Sequence, residues 1–385
     1  MSSDVSADPH DQPATAALGA AHPLSRGVTA AAPLIRAYQG ERMPQPPVWF
    51  MRQAGRSLPE YRALREGTAM LDACLDPQMA SEITLQPVRR HGVDAAIFFS
   101  DIVVPLRLAG VAVDIVPGRG PVLERPVRTA SDVARLTAAD PAALAPDDVC
   151  GPLGPVIEGV RRTVDQLGPT PLIGFGGAPF TLAAYLVEGG PSKDHLRART
   201  LMHADPESWQ ALMRWCADVT GAFLRAQVLA GASAAQLFDS WAGSLSLDDY
   251  AKHVAPASTR ALEHVRGLTY DAEGGARNVP LVHFGVGTGE LLKAMRDTGA
   301  DVIGVDYRIP LDEASRRLGH SVPLQGNVDP AMLGAPWSVL EQHVRDVIER
   351  GASAPAHVLN LGHGVPPDTD PGVLTRLVEL VHGLD

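Results

Sequence analysis

The chain has 385 residues, 45% apolar, 20% charged and 5% aromatic, enough for one large barrel or two medium domains with a core that needs no disulfide staples. Thirty-three basic against 44 acidic residues give a formal charge of −11, which argues against a nucleic-acid partner, and no apolar run approaches the ~18 residues of a membrane helix. Three widely spaced cysteines, Cys74, Cys150 and Cys216, form no C-x-x-C pair and fit neither a disulfide framework nor a zinc ribbon, so a reducing, cytoplasmic setting is expected.

Residues 1–27 hold acids, Pro, His and small residues without an apolar h-region or an Arg-rich amphipathic face. No signal or transit peptide is indicated, and a disordered tail is expected there. From about residue 46, short β-like segments alternate with longer segments carrying helix signals, the pattern of parallel α/β architecture. The segments are 47–51, 94–99, 172–175, 234–238, 280–284, 301–305, 322–325 and 357–361. Eight units with no splitting linker predict a single (β/α)8 TIM barrel over residues 28–385, with its site at the carboxyl ends of the strands. Ser57-x-x-Glu60 reads as a capping box, as does Ser246-x-x-Asp249, while Asp76-Pro77, Asp205-Pro206 and Asp329-Pro330 each place a capping acid before a helix-starting proline. Gly67, Gly92, Gly231 and Gly351 stand where helix C-caps belong. A hairpin, 111–116 with 121–123, is expected as an insertion after strand two, and a short helix within 130–150.

If the barrel is right, unusual polar residues should follow the strands. Strand one runs into Met51-Arg52-Gln53-Ala54-Gly55-Arg56-Ser57, two arginines four apart around a turn whose backbone can approach an anion. Guanidinium forks suit carboxylates. Thirty of the 33 basic residues are arginine, however, so a pair of surface arginines is also an adequate reading. Arg65, two turns into the next helix, is weaker still. Strand two ends in Ser100-Asp101-Ile102-Val103-Val104-Pro105, a carboxylate among apolar residues that needs a cationic or N–H partner. Its rival role, a helix N-cap, is followed by a poor helix start. Strand three leads into Gly176-Gly177-Ala178-Pro179 and a helix carrying Thr181 and Tyr185 on one face; a buried helix accounts for Thr181 but leaves the Tyr185 phenol without a partner. Phe238-Asp239-Ser240-Trp241 follows strand four, and Gly362-His363-Gly364 follows strand eight. There is no G-x-x-x-x-G-K-[ST], no correctly spaced G-x-G-x-x-G, no clustered His/Cys spacing for zinc, and no lysine at a strand end for a Schiff base. No metal and no cofactor are therefore expected.

The segments 47–61 and 174–189 resemble the two signature sequences of the uroporphyrinogen decarboxylase family, and Phe-Ser-Asp-Ile, Leu-Phe-Asp-Ser-Trp-Ala-Gly and Asn-Leu-Gly-His-Gly resemble its other blocks in the same order. Ser57 departs from the pattern, where the family commonly carries an aromatic. The resemblance implies a cytoplasmic, homodimeric, cofactor-free barrel enzyme that removes four CO₂ from uroporphyrinogen III to give coproporphyrinogen III. It implies Asp101 as the carboxylate beneath the macrocycle and Arg52 and Arg56 as holders of substrate carboxylates, with Gln53, Ala54 and Gly55 lining the same turn. Tyr185, Ser240 and His363 carry over as substrate contacts, and Arg65 and Phe238 as neighbours. Two rivals are a zinc- and corrinoid-linked methyltransferase, which shares the superfamily's barrel but needs a His/Cys zinc site that the sequence lacks, and a non-catalytic tetrapyrrole-binding protein that kept the pocket.

Overall fold

The computed structural model describes residues 16–272 and 274–384. Seven parallel strands form one sheet: β1 (Ala96–Ile97), β2 (Leu172–Gly177), β3 (Ala234–Asp239), β4 (Leu281–Gly285), β5 (Val302–Gly304), β6 (Leu324–Gln325) and β7 (His357–Val358). Their order across the sheet is their order in the chain, and every pairing is parallel. Helices cover the sheet, so the strands are apolar on both faces; all six residues of β2 are buried.

The helix boundaries follow local chemistry. Helix α1 is Pro59–Leu64 and helix α2 Pro77–His91; in α2 the Asp76 carboxylate accepts from the N–H groups of Gln78 and Met79, both at 2.9 Å, and Gly92 closes the far end at φ 66°. Helix α3, Pro179–Glu188, starts at the end of β2 and is buried almost throughout. Helix α4 is Leu196–Ala204, and helix α5, Pro206–Ala230, is capped by Asp205 on Ser208 N–H at 3.1 Å and ends at Gly231, directly ahead of β3. Helix α6, Leu247–His253, is capped by Ser246 on Asp249 N–H at 3.1 Å.

Residues 47–51 do not form a regular strand, yet they are bound on both sides. Val48 stands in a parallel bridge with Leu359, Leu359 N–H donates to Pro47 O at 2.8 Å, and Asp94 N–H donates to Val48 O at 2.8 Å. Inside the sheet, Gln325 donates to Gln236 Oε1 at 3.1 Å and accepts from Tyr38 Oη at 2.5 Å and from Trp49 Nε1 at 3.2 Å. This network lets four polar side chains occupy the interior, with the Gln236 Nε2 alone among them left buried without a partner.

Several expectations need correction. Ser57 caps nothing: helix α1 begins after Leu58, the Ser57 hydroxyl is buried without a partner, and Glu60 pairs instead with Arg90. Gly351 lies inside the helix Trp337–Gly351 rather than beyond it. Its absent Cβ makes room for the His357 ring, whose Cγ lies 2.6 Å from the position a Cβ would take. The tail expected over residues 1–27 is partly ordered. Residues 1–15 lie outside the described residues, but Ala16–Ala17 pair with Leu268–Ala272, Leu24 is fully buried, and His22 Nε2 lies 2.9 Å from Val228 O. A small sheet, Ala16–Ala17 with Leu268–Ala272 and Gly275–Asn278, was not expected. Val113–Val116 and Gly120–Leu123 pair antiparallel between β1 and β2 in the chain, followed by a helix at Ala130–Thr137.

Candidate active site

The chain leaving residue 51 turns sharply. Arg52 adopts φ 62°, the left-handed region that costs a non-glycine residue roughly 1–2 kcal/mol. Gly55 then packs against it, since a Cβ there would meet Arg52 O at 2.9 Å. Gln53 braces the turn from beneath: fully buried, it accepts from Phe50 N–H and donates to Ala95 O, both at 3.0 Å. Its side chain is thereby committed to the fold, while Arg52 and Arg56 are exposed and Ala54 and Gly55 partly so.

Asp101 follows β1. It is partly exposed, accepts from Val103 N–H at 3.0 Å, and its carboxyl is pushed up by desolvation, opposed by that N–H and by the Arg52 guanidinium. Tyr185, on helix α3, is pushed up to about 12 by burial and by the Asp101 charge, with Arg52 pulling the other way. Burial and then Asp101 also raise the Cys74 thiol, which Arg65 opposes. These mutual effects bring residues of three strand ends, Arg52, Asp101 and Tyr185, within one electrostatic neighbourhood.

The loop after β7 closes against the same turn. A Cβ on Gly364 would overlap the Arg52 stem, 2.7 Å from Cγ and 3.0 Å from Nε, so the arginine lies across that glycine. Gly362 packs as tightly on Tyr307, whose Cα would be 2.7 Å from its Cβ. His363, between them, is partly exposed and held neutral to lower pH by burial, then by Arg52 and Arg308. Arg308 pairs with buried Asp306 and stacks over Tyr307 at 4.5 Å.

Tyr185 is stacked on Trp241 with ring centroids 3.9 Å apart, and the His195 ring lies tilted against Trp241 at 4.3 Å. Phe238 meets Phe175 and Phe284 edge-on at 5.3 and 5.8 Å, an apolar patch across three neighbouring strands. Ser240 is partly exposed and its hydroxyl has no hydrogen-bond partner among the described residues. Asp239, its neighbour, turns inward: fully buried, it accepts from Thr181 Oγ1 at 3.0 Å and faces His283 at 3.7 Å.

Arg56 and Arg65 lie on the wall of an open cavity of about 680 Å³, with Tyr61, Arg62, Pro367 and Asp368. Tyr61 links the two regions by packing edge-on against Phe99 at 5.7 Å, two residues before Asp101. Arg62 was not anticipated, although it shares the arginine-rich spacing of its neighbours. The strand ends therefore place one cation, Arg52, near the partly desolvated Asp101 carboxylate, with further arginines on the neighbouring cavity wall. That suits a small molecule carrying both anionic groups and hydrogen-bond donors.

A TIM-like α/β barrel with its polar side chains gathered at the strand ends has the layout of a barrel enzyme. The uroporphyrinogen decarboxylase (URO-D) family model matches residues 29–384. Uroporphyrinogen decarboxylase from Leifsonia xyli subsp. xyli is 72% identical, covering 95% of this chain and 98% of its own, and that from Arthrobacter sp. is 68% identical, covering 93% and 99%. A methyltransferase from Methanosarcina mazei superposes with a TM-score of 0.72 at 19% identity, covering 92% of this chain and 98% of its own, a likeness of fold alone. The chain belongs to the uroporphyrinogen decarboxylase family.

Proposed function

We propose that the chain decarboxylates the four acetate side chains of uroporphyrinogen III to give coproporphyrinogen III, using no cofactor. A porphyrinogen directs its pyrrole N–H groups inward, and an ionised Asp101, with about four acceptor sites, holds them. Protonation of a pyrrole carbon converts that ring to an iminium-like sink. The C–CO₂⁻ bond then breaks, its electron pair neutralises the iminium, a second proton turns the resulting exocyclic methylene into a methyl group, and the first proton leaves the ring carbon to restore the pyrrole. Asp101, fixed before reaction, stabilises the cation. Arg52 and Arg56 hold substrate carboxylates, with the Gln53–Gly55 turn setting their direction, and Tyr185, Ser240 and His363 complete the contacts. Arg65 and Phe238 extend the rim and the floor.

The finer architecture is part of the same reading. We take residues 47–51 as the first of eight staves, supported by the Val48–Leu359 bridge and the Asp94 hydrogen bond, and residues 113–123 as a hairpin inserted after the second. Residues 28–385 then form one domain, working as a cytoplasmic homodimer on the strength of the family resemblance. Among the described residues no helix is long and apolar enough to cross a membrane.

The observation that carries the assignment is the Asp101 carboxylate, raised by desolvation and opposed by Arg52, at the end of β1. Anaerobic incubation with uroporphyrinogen III, followed by chromatography of the oxidised products, tests it. The parent should lose carboxyl groups stepwise without additives, and Asp101→Asn should turn over on the order of 10² to 10³ more slowly. Unimpaired turnover in Asp101→Asn refutes the role of Asp101; no turnover in the parent refutes the activity.

A further inference from the structure

We propose that His203, Asp249 and His253 bind a divalent transition-metal ion of the Zn²⁺ class, which clamps the end of helix α4 to helix α6. The three side chains each offer one ligand atom, and these atoms lie within 4.8 Å of one another. None of the three belongs to the site that gathers Asp101, Arg52 and Tyr185. The spacing is invisible in the sequence because His203 stands 46 positions before Asp249.

The separation of His203 and Asp249 suits an ion better than a hydrogen bond. His203 Nε2 and Asp249 Oδ1 are 3.5 Å apart. A charge-assisted hydrogen bond closes to about 2.7–2.9 Å. Two donors each about 2.1 Å from a tetrahedral metal stand about 3.4 Å apart. Asp249 and His253 are four apart on α6 and so share a face, with His203 reaching them from the last turn of α4.

The backbones that carry the ligands are fixed independently of any ion. Ser246 caps the turn bearing Asp249, and the carbonyl of His253 accepts from Trp209 Nε1 at 3.1 Å, with Trp209 fully buried at the start of α5. The His253 ring is a second, separate indication of a ligand. It is 8% exposed, yet it makes no hydrogen bond among the described residues, and its Nδ1 is buried without a partner. Buried polar groups are normally paired, and an imidazole left unpaired beside two further donors is a ligand position.

Two imidazoles and one carboxylate select the ion. Zn²⁺, Ni²⁺ and Cu²⁺ favour such nitrogen-containing sets, whereas Mg²⁺ and Ca²⁺ prefer all-oxygen shells. Three protein ligands leave a fourth position to water, and His203, with 55% of its side chain exposed, gives access from solvent.

The test uses the full chain, stripped with a chelator and desalted, then titrated with Zn²⁺ in competition with a chromophoric zinc chelator. We expect one equivalent bound with a Kd of about 1 µM or tighter. Mg²⁺ should not compete, and Zn²⁺ should raise the unfolding temperature of the metal-free chain. His203→Ala and Asp249→Asn should each weaken binding at least about tenfold. His203 is exposed, so His203→Ala should match the metal-free parent's unfolding temperature and decides the matter alone if Asp249→Asn fails to fold. Cys150→Ser removes the one exposed thiol among the described residues and should leave the Kd unchanged. Binding weaker than about 1 µM, or an unchanged Kd in His203→Ala, overturns the proposal.

Discussion

Gly364→Ala tests the packing of the proposed carboxylate clamp without touching a charged group. Gly364 is not among the glycines with positive φ, so alanine is compatible with its backbone. The new Cβ would stand 2.7 Å from Arg52 Cγ and 3.0 Å from Nε, with Cδ nearer still. These atoms are the middle of the arginine stem, so the guanidinium must leave its position rather than swing its tip. A hydrogen bond to a charged group contributes about 1.5–3 kcal/mol. Losing that contribution in the transition state lowers kcat/KM by about 10- to 150-fold. The assay is the anaerobic initial rate of uroporphyrinogen III decarboxylation, with the unfolding temperature recorded beside it. The decisive control is a double-mutant cycle: in an Arg52→Ala background the clash partner is gone, and Gly364→Ala should cost almost nothing further. An unchanged kcat/KM in Gly364→Ala, or the same loss with and without Arg52, refutes the reasoning.

Other outcomes follow from the same geometry. Burial presses the His357 imidazole down to about 4, with its bond to Gly326 O opposing. Its folded pKa lies below an unfolded value of about 6.5, so its contribution is complete above pH 6.5 and is lost as pH falls toward 4, about 3 kcal/mol in all. Denaturant midpoints across that window should flatten in His357→Gln; an unchanged slope rejects the assignment. Gly351→Ala should destabilise the chain by about 1–3 kcal/mol, against helix propensity, because its Cβ meets the His357 ring. Equal or higher stability by urea titration contradicts that packing. Trp241→Ala removes the stacking partner of Tyr185, a contact of about 0.5–1.5 kcal/mol, and should lower kcat/KM by about 2- to 12-fold while Trp241→Phe stays near the parent. Equal rates in Trp241→Ala and the parent would remove Trp241 from the site.

The sheet was legible where a strand is an uninterrupted apolar run between a cap and a glycine. Residues 172–175, 234–238 and 280–284 reappear as β2, β3 and β4 with shifts of at most two residues at either end. Residues 47–51 have the same composition but donate and accept alternately toward Leu359 and Asp94, which leaves a single bridge. The small sheet of residues 16–17, 268–272 and 275–278 was illegible because Gly275–Asn278, which pair with the neighbouring Thr269–Ala272, are all exposed, and Ala16–Ala17 find their partners some 250 positions away. Ser57 shows how a local rule loses to a distant partner: the S-x-x-E spacing is present, but Arg90 on helix α2 takes the Glu60 carboxylate. In the candidate site, Asp101 and Arg52 were readable from their place after strands. The roles of Gly364 and Gly351 were not, because a missing side chain acquires meaning only from what fills its space.

The turn after residue 51 unites these levels. Arg52 occupies a backbone conformation that L-residues avoid, and such strain persists only where neighbours over-determine it. Here Met51 N–H donates to Asn360 Oδ1 at 2.9 Å, Val365 N–H donates to Met51 O at 2.8 Å, and Gln53 spends both ends of its amide on Phe50 and Ala95. The ties to Ala95, Asn360 and Val365 run to the chain entering β1 or leaving β7, so the sheet itself helps to impose the turn. Gln53 acts as a brace: its side chain secures the backbone that aims Arg52 across Gly364 toward Asp101. As the proposed carboxylate holder, an arginine fixed this way needs little reorganisation when a polyanion arrives, and a chain of net charge −11 can in that way keep a local site for anions.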